Sequence, residues 1–347
     1  MKLNEELALF LLDKHQPRRK RLLENLLVGK KTVATIYWAL RYQILGYLGL
    51  GRYMEITKLD FTNLEKQKLV IKDENQAYVL TDKGYILRSK ILGDNLKFNW
   101  QRNFQSFNFM RFKSRLLLFI QVISEYQHNQ RKYYPVNVSD SEMNFVKYYF
   151  KKIDRESIAF SLKNELLNFF SVINNENLAN QLANELVGFQ KNGRTLFQLA
   201  NEFDESLIKV YLSDIDVISQ LIDFVVNNQE SVIFPLLKGL HQNVVSDSAI
   251  MTLNQYLINH DISKVALKRH LKESTIYEHL MEIAIYFPIN KFPYSDFIND
   301  VQIEELKEQL SDDIDKWNYE NLSLKQSLSF FQFRLVEIYL TKVGNDE

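Results

Sequence analysis

The chain has 347 residues, with 43 Lys+Arg balanced by 43 Asp+Glu, 46% hydrophobic residues, 13% aromatics and no cysteine. The missing cysteines exclude a disulfide framework and cysteine-ligated zinc or iron–sulfur sites, and the length exceeds what one economical core covers, so two or three domains are expected. Only 10 Gly and 5 Pro punctuate the sequence, which argues against a turn-rich sandwich or barrel and predicts long helices on short loops.

The charge is unevenly spread. Residues 1–134 hold 24 Lys+Arg against 12 Asp+Glu, whereas residues 135–347 hold 19 against 31. A cation surplus confined to a domain-sized segment points to a polyanion there, or to segregated solvated faces. The acidic remainder argues against a chain coated in nucleic acid from end to end. The first apolar run, Leu7 to Leu12, is short and follows Glu5 and Glu6, unlike a secretion signal. The run at 116–120 is far below membrane-spanning length. A soluble cytoplasmic protein without a membrane partner is expected.

Residues 4–13 and 17–28 fit short amphipathic helices, with Pro17 suited to a first helical turn and Arg18, Arg19, Lys20 and Arg21 behind it. Thr32 is placed to cap a helix in which Val33, Ile36, Tyr37, Leu40 and Ile44 recur at helical spacing. A glycine-rich break covers 46–53. A further helix is expected from about Ile56 to Gln67, with Leu59, Phe61 and Leu64 inward. There the pattern changes. Leu69-Val70-Ile71 and Ala77-Tyr78-Val79-Leu80 read as short strands around the polar residues Asp73 to Gln76, and Thr81-Asp82-Lys83-Gly84 opens another helix.

That order resembles the winged helix-turn-helix family, in which a leucine-bearing helix runs into a strand and the second strand ends in Leu-Thr before a Gly. The matching residues are Leu64, Leu80, Thr81 and Gly84. The competing reading is an ordinary hairpin capping a helical domain.

From Leu96 to Val245 the pattern is helical, with a loop at 133–145 capped at Ser139 or Ser141 and a packed helix pair at 195–212. Residues 261–285 then have helix-turn-helix spacing. A first helix holds Val265-Ala266 and Arg269, and a break falls at Leu271-Lys272-Glu273. A second helix puts Ile276, Leu280 and Ile283 on one face, with Thr275 and Glu278 as a capping box. The tail, 291–347, is acidic and ends in an apolar helix that docks on the body or offers a partner surface.

Residues 246–290 resemble the helicase helix-turn-helix domain, whose signature is Ile-Ala-x-x-Arg and then Thr-Ile-x-x-His-Leu. The matches are Val265-Ala266 with Arg269, then Thr275-Ile276 with His279-Leu280. Val265 replaces the usual Ile, and Asn259-His260 stands where a turn Gly is common; Asn tolerates the left-handed conformation. With "LLVGKKTVATIYWA" at 26–39 and the whole-chain layout, the sequence resembles the YpbB family, proteins of low-GC Gram-positive bacteria typically encoded beside a RecQ-type helicase. The resemblance implies a helicase context and supplies no reaction.

Catalytic and cofactor patterns are absent from the sequence. "GKKT" at 29–32 lacks the earlier glycine of a phosphate loop, since position 24 is Glu24, and "GLG" at 49–51 is followed by Met54 where a dinucleotide site needs glycine. His15, His128, His241, His260, His270 and His279 form no zinc spacing, there is no Gly-x-Ser-x-Gly elbow, and Asp312-Asp313 lie in a solvated run. No cofactor or metal is expected.

The candidates for phosphate contact are Arg18, Arg19, Lys20, Arg21, Lys30, Lys31 and Arg41, with Lys72, Lys83, Arg88 and Lys90 flanking the hairpin, and Lys264, Lys268, Lys272 and Thr275 at the C-terminal module. Arg269 reads equally as a backbone contact or as a buried partner of an acidic neighbour. Acidic Asp73-Glu74 at the hairpin tip, and Glu278 and Glu282 on the 275–285 helix, argue against base readout.

The expected fold is therefore mainly α: a winged-helix-like domain over 1–95 with one small β-hairpin, a helical middle domain over 96–245, a helicase-type helix-turn-helix over 246–290 and a helical tail over 291–347. The expected function is non-enzymatic: a DNA-binding accessory protein, on duplex or junction DNA, working with a RecQ-type helicase in repair or recombination. The alternatives are a protein–protein adaptor with degenerate helix-turn-helix folds, or a transcription regulator.

Overall fold

With few glycines and prolines to interrupt them, the apolar periodicities become helices. The computed structural model describes residues 1–93, 101–228, 230–311, 313–322 and 328–346. In chain order the elements are α1 (Leu3–Leu11), β1 (Arg18–Arg19), α2 (Lys20–Leu27), α3 (Val33–Arg41), α4 (Leu50–Tyr53), α5 (Thr62–Lys66), β2 (Val70–Lys72), β3 (Ala77–Leu80), α6 (Asp82–Leu92), α7 (Gln101–Ser106) and α8 (Phe109–Gln127). There follow α9 (Asp140–Lys152), α10 (Ile158–Ile173), α11 (Glu176–Glu185), α12 (Leu196–Glu202), α13 (Leu207–Val226), α14 (Asp247–Asn259), α15 (Ile262–Arg269), α16 (Glu273–Tyr286), α17 (Asp300–Gln309) and α18 (Phe330–Asp346). The mainly helical fold with one small sheet is the expected one.

Packing groups the residues into two units: 1–20 with 51–242, and 21–50 with 243–347. The grouping differs from the divisions expected at 95, 245 and 290. Helix α3, expected in the N-terminal winged-helix-like domain, packs against α16 and α18 instead. Its apolar face explains this: Ile36, Tyr37 and Ala39 are buried, and the Arg334 guanidinium of α18 lies 3.8 Å above the Tyr37 ring. The expected break at 95/96 lies outside the described residues, as does Asp312.

In the first unit the strands run antiparallel in the order β1-β3-β2, with Arg18 opposite Tyr78 and Val70 opposite Leu80. The hairpin sits where the two apolar runs predict it. Pro17, however, precedes a strand and not a helix. Arg18 pairs with β3 and donates through Nη1 to the Leu11 carbonyl at 2.6 Å, so α2 starts only at Lys20. The helix expected over 56–67 contracts to α5, because the Asp60 carboxylate receives the Thr62 N–H at 3.0 Å. Leu59, Phe61 and Leu64 are buried as expected.

The Leu-Thr-x-x-Gly pattern is a packing requirement. Thr81 Oγ1 accepts the Gly84 N–H at 3.1 Å, capping α6, and donates to the Lys68 carbonyl at 2.8 Å, while the Thr81 N–H reaches the Leu69 carbonyl at 3.0 Å. A Cβ on Gly84 would stand 1.9 Å from the Leu69 carbonyl oxygen, so no larger residue fits there.

Helix α13 is the hub of this unit. It is apolar on most sides and packs with α1, α8, α11 and α12, with Ile215, Ile218, Leu221 and Ile222 buried. The expected helix pair at 195–212 is α12 and the start of α13, joined through a small cluster of Leu199, Ala200 and Val210. Three charges are buried alongside. Lys113 Nζ lies 2.5 Å from Glu185 and 2.6 Å from Asp214, and the Tyr53 hydroxyl also donates to Asp214. Burial pushes both carboxyls up and the lysine down.

In the second unit α16 is the hub, packed on α14, α15, α3 and α18. Ile276, Leu280 and Ile283 are fully buried, as their spacing predicts. The apolar C-terminal helix α18 docks here through Phe333, Leu335, Val336 and Ile338.

Candidate nucleic-acid interface

The C-terminal module is a three-helix arrangement of α14, α15 and α16. His260, at φ 47° and ψ 32°, takes the left-handed turn after α14, so the special conformation falls on the histidine and not on Asn259. Asp261 caps α15 by accepting the Lys264 N–H at 3.0 Å. A second left-handed residue, His270, ends α15 and sets the turn into α16.

Arg269 is half-buried, and its side-chain partners are not acidic. Nη1 donates to the Ser248 carbonyl at 2.6 Å and to the Thr252 hydroxyl, and Nη2 donates to the Ser248 hydroxyl at 3.0 Å, tying α15 to α14. Thr252 also pairs with His279 Nδ1 at 2.7 Å. Burial, then the Arg269 charge, pushes the His279 pKa down. His279 is thus a neutral structural partner.

Glu282 is likewise inward. It is buried and receives the Ser246 N–H and hydroxyl at 2.7 and 2.8 Å, so it does not lie on the solvent side of α16. The Thr275–Glu278 capping box is absent because α16 begins at Glu273 with Lys272 in the capping position. Thr275 is half-buried inside the first turn.

The charged residues that α15 and its turn expose are positive, Lys264, Lys268 and Lys272, beside an exposed Leu267. Lys264 Nζ lies 3.2 Å from Asp261, a solvent-exposed pair that constrains little. What α16 exposes is Glu273, Ser274 and Glu278. Glu273 accepts from the Ser263 hydroxyl at 2.5 Å. A surface of this kind suits phosphate contact from α15 and its turn better than base reading by α16.

The N-terminal cations are divided between the two units. Arg18, Arg19, Lys20, Lys72, Lys83 and Arg88 belong to the first unit, while Arg21, Lys30, Lys31 and Arg41 belong to the second. Several are committed to internal bonds. Arg18 is buried. Arg88 Nη1 donates to the Leu12 carbonyl at 2.6 Å. Arg41 joins Asp315 at 2.8 Å and the Thr341 hydroxyl at 2.9 Å. Lys83 donates to the Gln67 carbonyl at 3.0 Å, and Lys31 to the Val244 carbonyl at 2.7 Å. Lys20 lies 5.8 Å over the Phe61 ring, and Phe61 stacks on Tyr78.

Around the hairpin, Arg19, Lys66, Lys68, Lys72 and Lys90 are exposed. Asp73 at the tip is a turn residue: its carboxylate receives the Ala77 N–H at 2.7 Å, leaving Glu74 as the exposed acid. The second unit exposes Arg21 and Lys30. A further cationic stripe lies on α9, at Lys147, Lys151 and Lys152. Its i, i+4, i+5 spacing is the sequence signal, legible only once the helix bounds are fixed.

Among the described residues no group of three His, Asp or Glu side chains is placed to hold a metal ion, and no helix is long and apolar enough to cross a membrane.

A family model described as a helix-turn-helix domain matches residues 248–337, from the first turn of α14 into α18. The chain is 25% identical over 323 residues to Protein YpbB of Bacillus subtilis (strain 168), covering 90% of each. No solved structure matches it. The C-terminal segment is therefore a helix-turn-helix domain, and together the two findings support a YpbB-like helix-turn-helix protein.

Proposed function

We propose that this YpbB-like chain is a non-enzymatic DNA-binding accessory protein that works with a RecQ-type helicase in repair or recombination. The observation that carries the DNA part is the helix-turn-helix domain, whose exposed cations Lys264, Lys268 and Lys272 stand on α15 and its turn. Such a surface binds phosphates with little sequence preference and with steep salt dependence. The helicase part rests on the signature residues Val265-Ala266, Arg269, Thr275-Ile276 and His279-Leu280. Their apolar members lie in the domain core, with Val265, Ile276 and Leu280 fully buried, so the signature specifies the module, and the helicase partner is what the resemblance to the YpbB family implies.

Titration of the intact chain against labelled duplex, fork and single-stranded DNA at low and moderate salt tests the reading. Micromolar or tighter duplex or fork binding that weakens with salt is expected. Replacing Lys264, Lys268 and Lys272 by Gln lowers the salt slope by roughly 0.9 for each phosphate no longer neutralised. No binding at low salt removes the DNA reading.

The adaptor reading keeps the acidic hairpin tip at Glu74 and adds the exposed pair Glu273 and Glu278 on α16, while Glu282 no longer contributes. Helicase retained by the chain in nuclease-treated extract, without DNA binding, selects the adaptor.

A further inference from the structure

Helix α9 of the first unit carries a solvent face unlike the acidic average of its half of the chain. Positions 144, 147, 148, 151 and 152 are all exposed, and they are Asn144, Lys147, Tyr148, Lys151 and Lys152. Helical spacing puts them on one stripe. Lys147 and Lys151 stand one turn apart, about 6 Å along the axis. Arg155, just beyond the helix, is exposed and lies 5.5 Å over the Phe150 ring.

The aromatic in the stripe carries a cation. Tyr148 is 58% exposed, and the Lys152 ammonium lies 4.3 Å from its ring centroid. The hydrogen bond and then the charge of Lys152 lower the phenol pKa, with a smaller pull from the Lys238 charge. Lys238 comes from a separate segment and is itself exposed; its backbone carbonyl is fixed by Arg115 Nη1 at 2.8 Å.

The acids nearby do not cancel this charge. Asp140 sits at the far N-terminal end of the helix. Asp154 follows the helix and is folded back on its own loop, accepting from the Ser157 hydroxyl at 2.5 Å and the Glu156 N–H at 3.1 Å. Glu156 is exposed beyond that loop. Glu142, in the first turn, is buried and consumed by Arg111 and Arg115.

The opposite face locks the helix in place. Val146 is fully buried, the Arg115 guanidinium lies 3.6 Å over the Phe145 ring, and the Tyr149 hydroxyl donates to the Val232 carbonyl at 2.9 Å. The stripe is therefore presented by a rigid support and needs little ordering to bind.

We infer that this face of α9 binds single-stranded nucleic acid, its phosphates tracking Lys147, Lys151, Lys152 and Lys238 and a base stacking on Tyr148. An exposed ring on a cationic stripe finds no stacking partner in a duplex, whose base faces are hidden, whereas every unpaired base offers a π-face. The site lies in the first unit and stands independently of the helix-turn-helix domain.

The test uses the intact chain, with anisotropy of a labelled oligothymidylate of about 15 nucleotides and of a duplex of matching length. Tyr148→Ala is expected to weaken oligothymidylate binding about tenfold and to leave duplex binding unchanged; Tyr148→Phe keeps the affinity. The variant with Lys147, Lys151 and Lys152 all changed to Gln loses about 2 from the single-strand salt slope. The Lys264, Lys268 and Lys272 to Gln variant retains single-strand binding, so failure of the duplex reading leaves this one standing. All these positions are exposed, and unchanged melting temperatures confirm that the variants fold. Oligothymidylate binding by Tyr148→Ala equal to that of the unaltered chain overturns the inference, as does no binding of the oligonucleotide at low salt.

Discussion

The Glu282 carboxylate holds Ser246 by both of its polar groups, receiving the backbone N–H at 2.7 Å and the hydroxyl at 2.8 Å. The same hydroxyl accepts the Ala249 N–H at 3.2 Å, so one carboxylate from the middle of α16 positions the residue that caps α14. A buried acid that looks like surface charge in the sequence is therefore what joins the ends of the helix-turn-helix domain.

Glu282→Ala leaves the Ser246 N–H without its acceptor inside the domain and frees the cap. The expected loss is about 2 kcal/mol of stability, read by urea unfolding, and the salt slope of duplex binding stays as it was. A variant as stable as the unaltered chain would show that Ser246 finds another acceptor at no cost.

Gly84→Ala tests the hairpin junction. The added Cβ meets the Leu69 carbonyl oxygen, which is rigid backbone already occupied by the Thr81 N–H and hydroxyl. Overpacking of this kind costs about 1–3 kcal/mol, and the loss should appear as faster amide exchange across β2 and β3. Thr81→Val removes the cap together with the hydroxyl bonds to the Lys68 and Leu69 carbonyls, and is expected to cost about 1–2 kcal/mol.

Four of the candidate arginines make internal bonds. Arg18, Arg41, Arg88 and Arg269 are spent on internal carbonyl, hydroxyl or carboxylate acceptors. Arg41→Gln loses its bonds to Asp315 and Thr341 and is expected to lower stability by about 1–3 kcal/mol, with no change in the salt slope of DNA binding. The Lys264, Lys268 and Lys272 to Gln variant has the reverse signature, a reduced slope at unchanged stability. An Arg41→Gln chain of full stability with a reduced slope would reverse this assignment.

Legibility followed the range of the interaction. Patterns written within a few residues came through: the Ile276–Leu280–Ile283 face, the Thr32 cap, the hairpin between Leu69 and Leu80 and the α12–α13 turn. What failed depended on partners far along the chain. Nothing near Arg18 announces that it will pair with Tyr78, nothing near α3 that it will pack on α16 and α18, and nothing near Glu282 that Ser246 will claim it. A cation count treats every arginine as available, whereas five donors on a planar fork make arginine the residue a core uses to satisfy distant carbonyls. The candidate site was therefore read correctly as a helix-turn-helix module, while the uncharged partners of Arg269 and the inward position of Glu282 were not foreseen.

Glu337 gives the second unit a built-in pH dependence. Burial pushes its carboxyl up to about 7, against the opposing pull of Arg334, whose Nη1 lies 2.9 Å from Glu337 Oε2. The ordinary value is 4.5. Between 4.5 and about 7 the folded state holds a proton that the unfolded chain has released, so stability falls as pH rises through that window, by about 3 kcal/mol from this group. Glu337→Gln removes the titration. Urea unfolding at pH 4.5 and pH 8 should show the variant gaining on the unaltered chain by about 3 kcal/mol between the two conditions, whatever constant offset the lost Arg334 pairing introduces. An equal pH dependence in both chains would mean that Glu337 is ionised in the folded state throughout, with Arg334 outweighing its burial.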